Sequence, residues 1–197
     1  MNLPNRLSLM RICLVPLIAL IYLFPYAQFG IEIAELQFDF VSLRITNIIV
    51  LVLFAIASFT DFLDGYIARK NNLITSFGKF IDPIADKLLV NTMLILFAAS
   101  GTVPVLPVMI MIWRDTIVDG LRMNASEKGI VVAAGYMGKV KTVAQMMTII
   151  VLLLNNLPFE LARFPMGEWL LWFSMCVSVI SGISYFMQLK DVIMETM

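Results

Sequence analysis

The chain has 197 residues, 60% of them hydrophobic and 14% charged, with a mean hydropathy of +0.91. That composition excludes an ordinary soluble domain and makes its long apolar runs membrane spans of about 20 residues each. Lys plus Arg number 14, as do Asp plus Glu, so bulk nucleic-acid binding has no support, and the absence of histidine removes imidazole metal sites and His-based acid–base catalysis.

In chain order, the first apolar run covers about residues 8–27. No small-residue cleavage site follows it near Tyr26–Phe29, so it reads as a retained helix rather than a signal peptide. A polar, acidic loop with Glu32, Glu35 and Asp39 comes next. Further spans are expected over about 44–68, 77–100, 103–124, 136–155 and 167–188. No repeat, low-complexity tract or linker interrupts them. The expectation is an all-α integral membrane protein, a six-transmembrane-helix bundle forming one domain over 1–197. Cys13 and Cys176 are isolated in apolar surroundings and read as packing residues. Ser178 and Gly182 form a small-xxx-small pair that suits close packing, within the bundle or between copies.

Basic residues in the loops give the orientation. Arg69, Lys70 and Lys79 follow the second span, and Arg122, Lys128, Lys139 and Lys141 follow the fourth. The other side has Arg44 and Arg163 among Glu32, Glu35, Asp39, Glu160 and Glu168. The first side is therefore expected to be cytoplasmic, and with six spans both termini lie there too.

Three spans carry charges in their cytoplasmic parts. The second must extend past Asp61 and Asp64, the third must include Asp82 and Asp86, and the fourth must continue through Arg114, Asp115, Asp119 and Arg122. A charge facing lipid at mid-helix costs about 2.5–3.5 kcal/mol on insertion scales. These side chains should instead face the bundle interior, which implies a polar cavity open to the cytoplasm.

Asp61, Asp64, Gly65 and Ala68 share one stripe of a helix, and Gly78, Asp82 and Asp86 share one stripe of the next, with Asn71 and Asn72 as a plausible turn between. Isolated acids at helix ends are ordinarily solvated caps, and Asp82 before Pro83 reads as a helix N-cap. Capping does not explain four acids on two stripes beside small residues. Four unpaired carboxylates cannot all stay ionised in one cavity, so either some are protonated or cations sit between them. All-oxygen ligation suits Mg²⁺ or Mn²⁺, and two such ions about 3.5–4 Å apart form a clamp for phosphoryl oxygens.

The run Asp61-x2-Asp64-Gly65-x2-Ala68-Arg69-x8-Gly78-x3-Asp82-x3-Asp86 resembles the signature of the CDP-alcohol phosphotransferase family, with every signature position filled. The resemblance extends over the whole chain. Asn2-Leu3-Pro4-Asn5 leading to Arg11, and Gly138-Lys139-Val140-Lys141-Thr142, resemble the bacterial branch that makes phosphatidylglycerol phosphate from CDP-diacylglycerol and sn-glycerol 3-phosphate, releasing CMP. The resemblance implies Asp61, Asp64, Asp82 and Asp86 as ligands of two divalent cations, Mg²⁺ or Mn²⁺. It implies Asp86 as general base toward the acceptor hydroxyl, and Asp61, Gly65, Ala68, Arg69 and Gly78 as holders of the CDP moiety. It also implies a homodimer in the bacterial cytoplasmic membrane.

For the acceptor phosphate the candidates are Arg114, Arg122, Lys139 and Lys141, with Arg11 a further one. Lys139 and Lys141 serve equally as topology-setting basic residues. One departure stands out, because Asp115 follows Arg114 where the branch commonly carries Glu. Another acceptor keeps the same metal site: phosphatidylglycerol, as in a cardiolipin synthase, or inositol phosphate or serine. A more distant alternative is a cation or proton transporter, which predicts acids spread through the membrane depth and helices broken near mid-bilayer.

Overall fold

The computed structural model describes residues 2–38, 41–70, 76–127 and 135–194. The expected turn at Asn71 and Asn72, together with Asp39 and Lys128, lies outside the described residues, as do the side chains of Ala68, Arg69, Lys79 and Pro83.

Among the described residues the main elements are six long helices: α1 (Leu3–Leu23), α2 (Ile45–Lys70), α3 (Ser76–Ala99), α4 (Val105–Glu127), α5 (Tyr136–Leu153) and α6 (Met166–Met194). By length and apolar composition four segments qualify as membrane spans, namely Asn5–Leu23, Ile45–Ile67, Tyr136–Leu153 and Met166–Lys190. The chain is thus a mostly helical membrane protein. At about 1.5 Å per residue, the 24 residues of α3 and 23 of α4 are equally long enough to cross. Their charges are what set them apart.

α1 stops at Leu23, short of the expected residue 27. Phe24 precedes Pro25, and the proline ring pushes it out of the helical region to ψ 128°. A 3₁₀ turn over Tyr26–Phe29 follows, closed by Gly30 at φ +68°. The acidic loop then contains an antiparallel pair of strands, β1 (Glu35–Phe38) and β2 (Val41–Arg44), with Glu35 opposite Arg44 and Phe38 opposite Val41. The hint was an alternation in which Val41 and Leu43 turn inward while Ser42 and Arg44 face out. α3 ends in a Schellman motif: Thr102 N–H donates to the Phe97 carbonyl and Gly101 N–H to that of Ala98, with Gly101 at φ +73°.

α1 packs chiefly on α2 and α3, and α6 on α4 and α5; smaller α3–α4, α2–α5 and α3–α5 contacts join the two groups. One core draws a buried residue from every helix: Ile18, Phe54, Met93, Met111, Ile149 and Leu171. Loops following α1, α3 and α5 meet at one end. There Asn155 Nδ2 donates to the Ser42 carbonyl at 3.0 Å, and the Tyr22 hydroxyl meets that of Ser100 at 3.1 Å. The aspartates lie toward the other end. Gly182 faces α4 inside the bundle, where a Cβ would come within 2.9 Å of Arg114 Cγ, and Ser178 one turn earlier is fully buried. The small pair therefore serves packing within the chain.

Candidate active site

Asp61 and Asp64 stand on the inner stripe of α2, and Asp82 and Asp86 on that of α3. Asp82 lies well inside α3, which begins at Ser76, so its reading as a helix N-cap is corrected. Pro83 follows it without ending the helix, as neighbouring helices in a bundle permit.

Between the two stripes comes a side chain from α1. Arg11, fully buried, donates from Nη1 to Asp61 Oδ1 at 2.5 Å and from Nη2 to Asp64 Oδ2 at 2.7 Å. One turn earlier, Ser8 Oγ lies 2.6 Å from Asp82 Oδ1 and 3.4 Å from Asp64 Oδ2. Spacing of three places Ser8 and Arg11 on one face of α1. Three helices and three of the four aspartates thus share one hydrogen-bonded network. Asp64 is sealed at 3% exposure, whereas the Asp61 side chain keeps 36% and stands at the mouth. Asp86 follows Asp82 by one turn on the same stripe of α3, and Asp61, Arg11, Lys141 and Lys87 all act on its carboxyl electrostatically.

The donor set fits hard divalent ions: carboxylate oxygens from two facing helices, with neither sulfur nor imidazole among them. Among the described residues no three acids are drawn around a single point, and Asp61 and Asp64 both close on the Arg11 guanidinium.

A second polar cluster joins α4, α5 and α6. Lys141 Nζ donates to both carboxylate oxygens of Asp115 at 2.5 Å, and Arg114 Nη1 reaches Asp115 Oδ1 at 2.9 Å. Arg114 Nη2 donates to Ser181 Oγ at 2.7 Å. The Tyr185 ring faces the guanidiniums of Arg114 and Arg122, whose Cζ atoms lie 5.7 and 5.9 Å from its centroid. Its hydroxyl accepts from Gly135 N–H at 2.9 Å, which ties the start of α5 to the same place. Gly138 lies beside that hydroxyl, at a distance where a Cβ would make an ordinary contact of 3.5 Å.

Of the four acceptor candidates, Arg114, Arg122 and Lys141 come together, and Lys139 does not. Two residues on a helix differ by about 200°, so Lys139 faces outward beside Val143, Met147 and Phe173 while Lys141 is buried. Arg11 belongs with the aspartates. Sequence reasoning missed Ser8, Ser181 and Tyr185, which carry no motif of their own, and it missed the Lys87–Asp119 ion pair between α3 and α4. The Lys87–Asp119 pair had a legible signal, a lysine directly after Asp86 in a helix that must hide its charges.

The family model for CDP-alcohol phosphatidyltransferases matches residues 1–180. A CDP-diacylglycerol–glycerol-3-phosphate 3-phosphatidyltransferase of Bacillus subtilis (strain 168) is 44% identical over 94% of this chain and 93% of its own length. Proteins of the same name from Rickettsia bellii (strain RML369-C) and Salmonella choleraesuis (strain SC-B67) are 35% and 34% identical, over 96% and 75% of this chain and 96% and 74% of their own.

Proposed function

The chain belongs to the CDP-alcohol phosphatidyltransferase family, and on that premise we propose that it transfers the phosphatidyl group of CDP-diacylglycerol to sn-glycerol 3-phosphate, giving phosphatidylglycerol phosphate and CMP. What supports this most directly is the gathering of Asp61, Asp64 and Asp82 around Ser8 and Arg11 of α1, with Arg114, Arg122 and Lys141 gathered in a second cluster across α4, α5 and α6. The donor's diphosphate belongs with the first cluster and the acceptor's phosphate with the second.

Asp61, Asp64, Asp82 and Asp86 would hold two divalent cations, Mg²⁺ or Mn²⁺. Bound there, the ions would supply Lewis-acid neutralisation of the phosphoryl oxygens. By the family resemblance Asp61, Gly65, Ala68, Arg69 and Gly78 would hold the CDP moiety, small residues letting the nucleotide approach the backbone. Arg114, Arg122 and Lys141 hold the acceptor's phosphate; the guanidinium forks suit its dianion, and Tyr185 keeps two of them on one side of the cluster. Asp86 takes the proton of the acceptor's primary hydroxyl. The oxygen so freed bonds to the phosphorus bearing diacylglycerol, the bond from that phosphorus to the CMP oxygen breaks, and CMP departs with the electron pair.

We place the whole of 1–197 in one domain with six spans, α3 and α4 crossing with their charges turned into a cavity open to the cytoplasm. The site and both termini then face the cytoplasm of a bacterial membrane, in keeping with the Lys/Arg excess at that end. Family resemblance supports a homodimer.

The test is CMP release from CDP-diacylglycerol by the detergent-purified protein with Mg²⁺. The acceptor is varied among glycerol 3-phosphate, phosphatidylglycerol, inositol phosphate and serine. Release is expected with glycerol 3-phosphate alone, abolished by EDTA and cut about 10²-fold or more by Asp86→Asn. Release with a different acceptor would overturn the reading of the basic cluster, and no release with any acceptor would overturn the whole proposal.

A further inference from the structure

Arg11 is fully buried, and its two ion pairs, to Asp61 and Asp64, hold it between α1 and the inner stripe of α2. Nη1 and Nη2 each take a different carboxylate, while Nε is buried with no hydrogen-bond partner. Asp82 is drawn in from α3 by Ser8 on the same face of α1. A cation thus already occupies carboxylate oxygens of the aspartate cluster, and the chain itself provides it.

We propose that Arg11 is the built-in counter-cation of the aspartate site: its guanidinium competes with divalent ions for Asp61 and Asp64 and withdraws from at least one of them when an ion binds. This rests on the reading of the four aspartates as a divalent-ion site. The physical need is plain. Four carboxylates gathered from two helices repel one another and lose hydration when buried, so a cation among them offsets that repulsion. A guanidinium serves because it stays charged and its fork reaches two carboxylates at once. Its single charge and the unpartnered Nε leave it displaceable by a doubly charged ion. The same contacts make α1 the element that senses occupancy, since Ser8 and Arg11 are its links to the site.

The experiment compares the full-length wild type with Arg11→Met, which keeps the length of the stem and removes the charge, and with Arg11→Lys. Binding of Mn²⁺ alone is titrated by loss of the free-ion electron paramagnetic resonance signal, in detergent and without lipid substrate. Thermal unfolding is followed in EDTA and in saturating Mn²⁺. A charge within a few ångströms shifts ionic equilibria about tenfold or more, so Arg11→Met should bind Mn²⁺ at least about tenfold more tightly than wild type. Its melting temperature should fall in EDTA and recover with Mn²⁺. Arg11→Lys, with a compact ammonium that serves only one carboxylate at a time, should fall between the two, and it carries the test alone if Arg11→Met does not fold. Unchanged or weaker Mn²⁺ binding in the variants, with binding by wild type intact, would overturn the role of Arg11 and leave the divalent site standing. No Mn²⁺ binding by wild type would overturn the divalent site, and the counter-cation role with it.

Discussion

Asp115 and Gly182 show how single positions shape the basic cluster. The Asp115 carboxylate joins Lys141 and Arg114 in surroundings that leave all three side chains largely buried. Removing one partner of a buried ion pair leaves an uncompensated charge, a loss of about 3–5 kcal/mol. Asp115→Asn should therefore lower stability by about 3 kcal/mol, visible as a lower denaturation midpoint in detergent. From the sequence Asp115 was an inward-facing charge and a departure from the usual Glu; its two partners lie on its own helix and on α5, and only the fold names the second. Gly182 packs against the stem of Arg114, so a larger side chain must move that arginine. Gly182→Val should raise KM for glycerol 3-phosphate while leaving Mn²⁺ affinity at its wild-type value. An unchanged KM would remove Arg114 from the acceptor site. The four aspartates, by contrast, were legible from spacing alone, because their stripes repeat the helical period and their charges have no place in lipid.

Helix ends follow local rules that the chain states openly in some places and hides in others. Ser100-Gly101 closes α3 where the sequence suggested. The end of α1 was legible in Phe24-Pro25 but was passed over because the apolar run continues beyond it. At the α5–α6 connection, Asn156 sits at φ +64°; its Oδ1 accepts from Gly167 N–H at 3.1 Å, and its Nδ2 donates to the Phe164 carbonyl at 2.7 Å and Glu160 Oε2 at 3.0 Å. Asparagine tolerates the left-handed region better than most residues, and each of these bonds satisfies a group at a turn. Asn156→Ala should cost about 1–3 kcal/mol, read as a lower melting temperature. Turnover per folded molecule should stay unchanged, because this turn lies at the end away from the aspartates. Lost turnover at full folding would mean that the connection communicates with the site.

Across the whole molecule, polarity is distributed the opposite way from a soluble protein. Ser8, Thr148, Ser174, Ser178 and Ser181 are fully buried, while Leu20, Phe62, Val143 and Met187 are among the residues most open to the surroundings. In lipid the outward apolar surface costs nothing, and small polar residues let helices approach. Asp61, Asp64 and Asp82 meet among α1, α2 and α3, and Arg114, Arg122 and Lys141 among α4, α5 and α6. On the proposed reading, each half of the chain furnishes one half of the site. The proposed orientation places the β1–β2 pair outside the cell. With Cys13 and Cys176 replaced by Ser, Gln37→Cys should react with a membrane-impermeant maleimide in intact cells, and Lys190→Cys should react only after lysis. The reverse pattern would invert the topology.

The sequence by itself determined the helical membrane class and the pairing of four aspartates on two stripes, because both are periodic properties of local segments read against a single solvent. It also identified the family, since the signature lies within one short stretch. Only the tertiary structure decided which cations belong to which acids. Arg11 meets Asp61 and Asp64 across about fifty residues, Arg114 meets Ser181 across 67, and Lys139 parts from Lys141 by facing the other way. Ion pairing depends on which helix faces come together, and no local period records that.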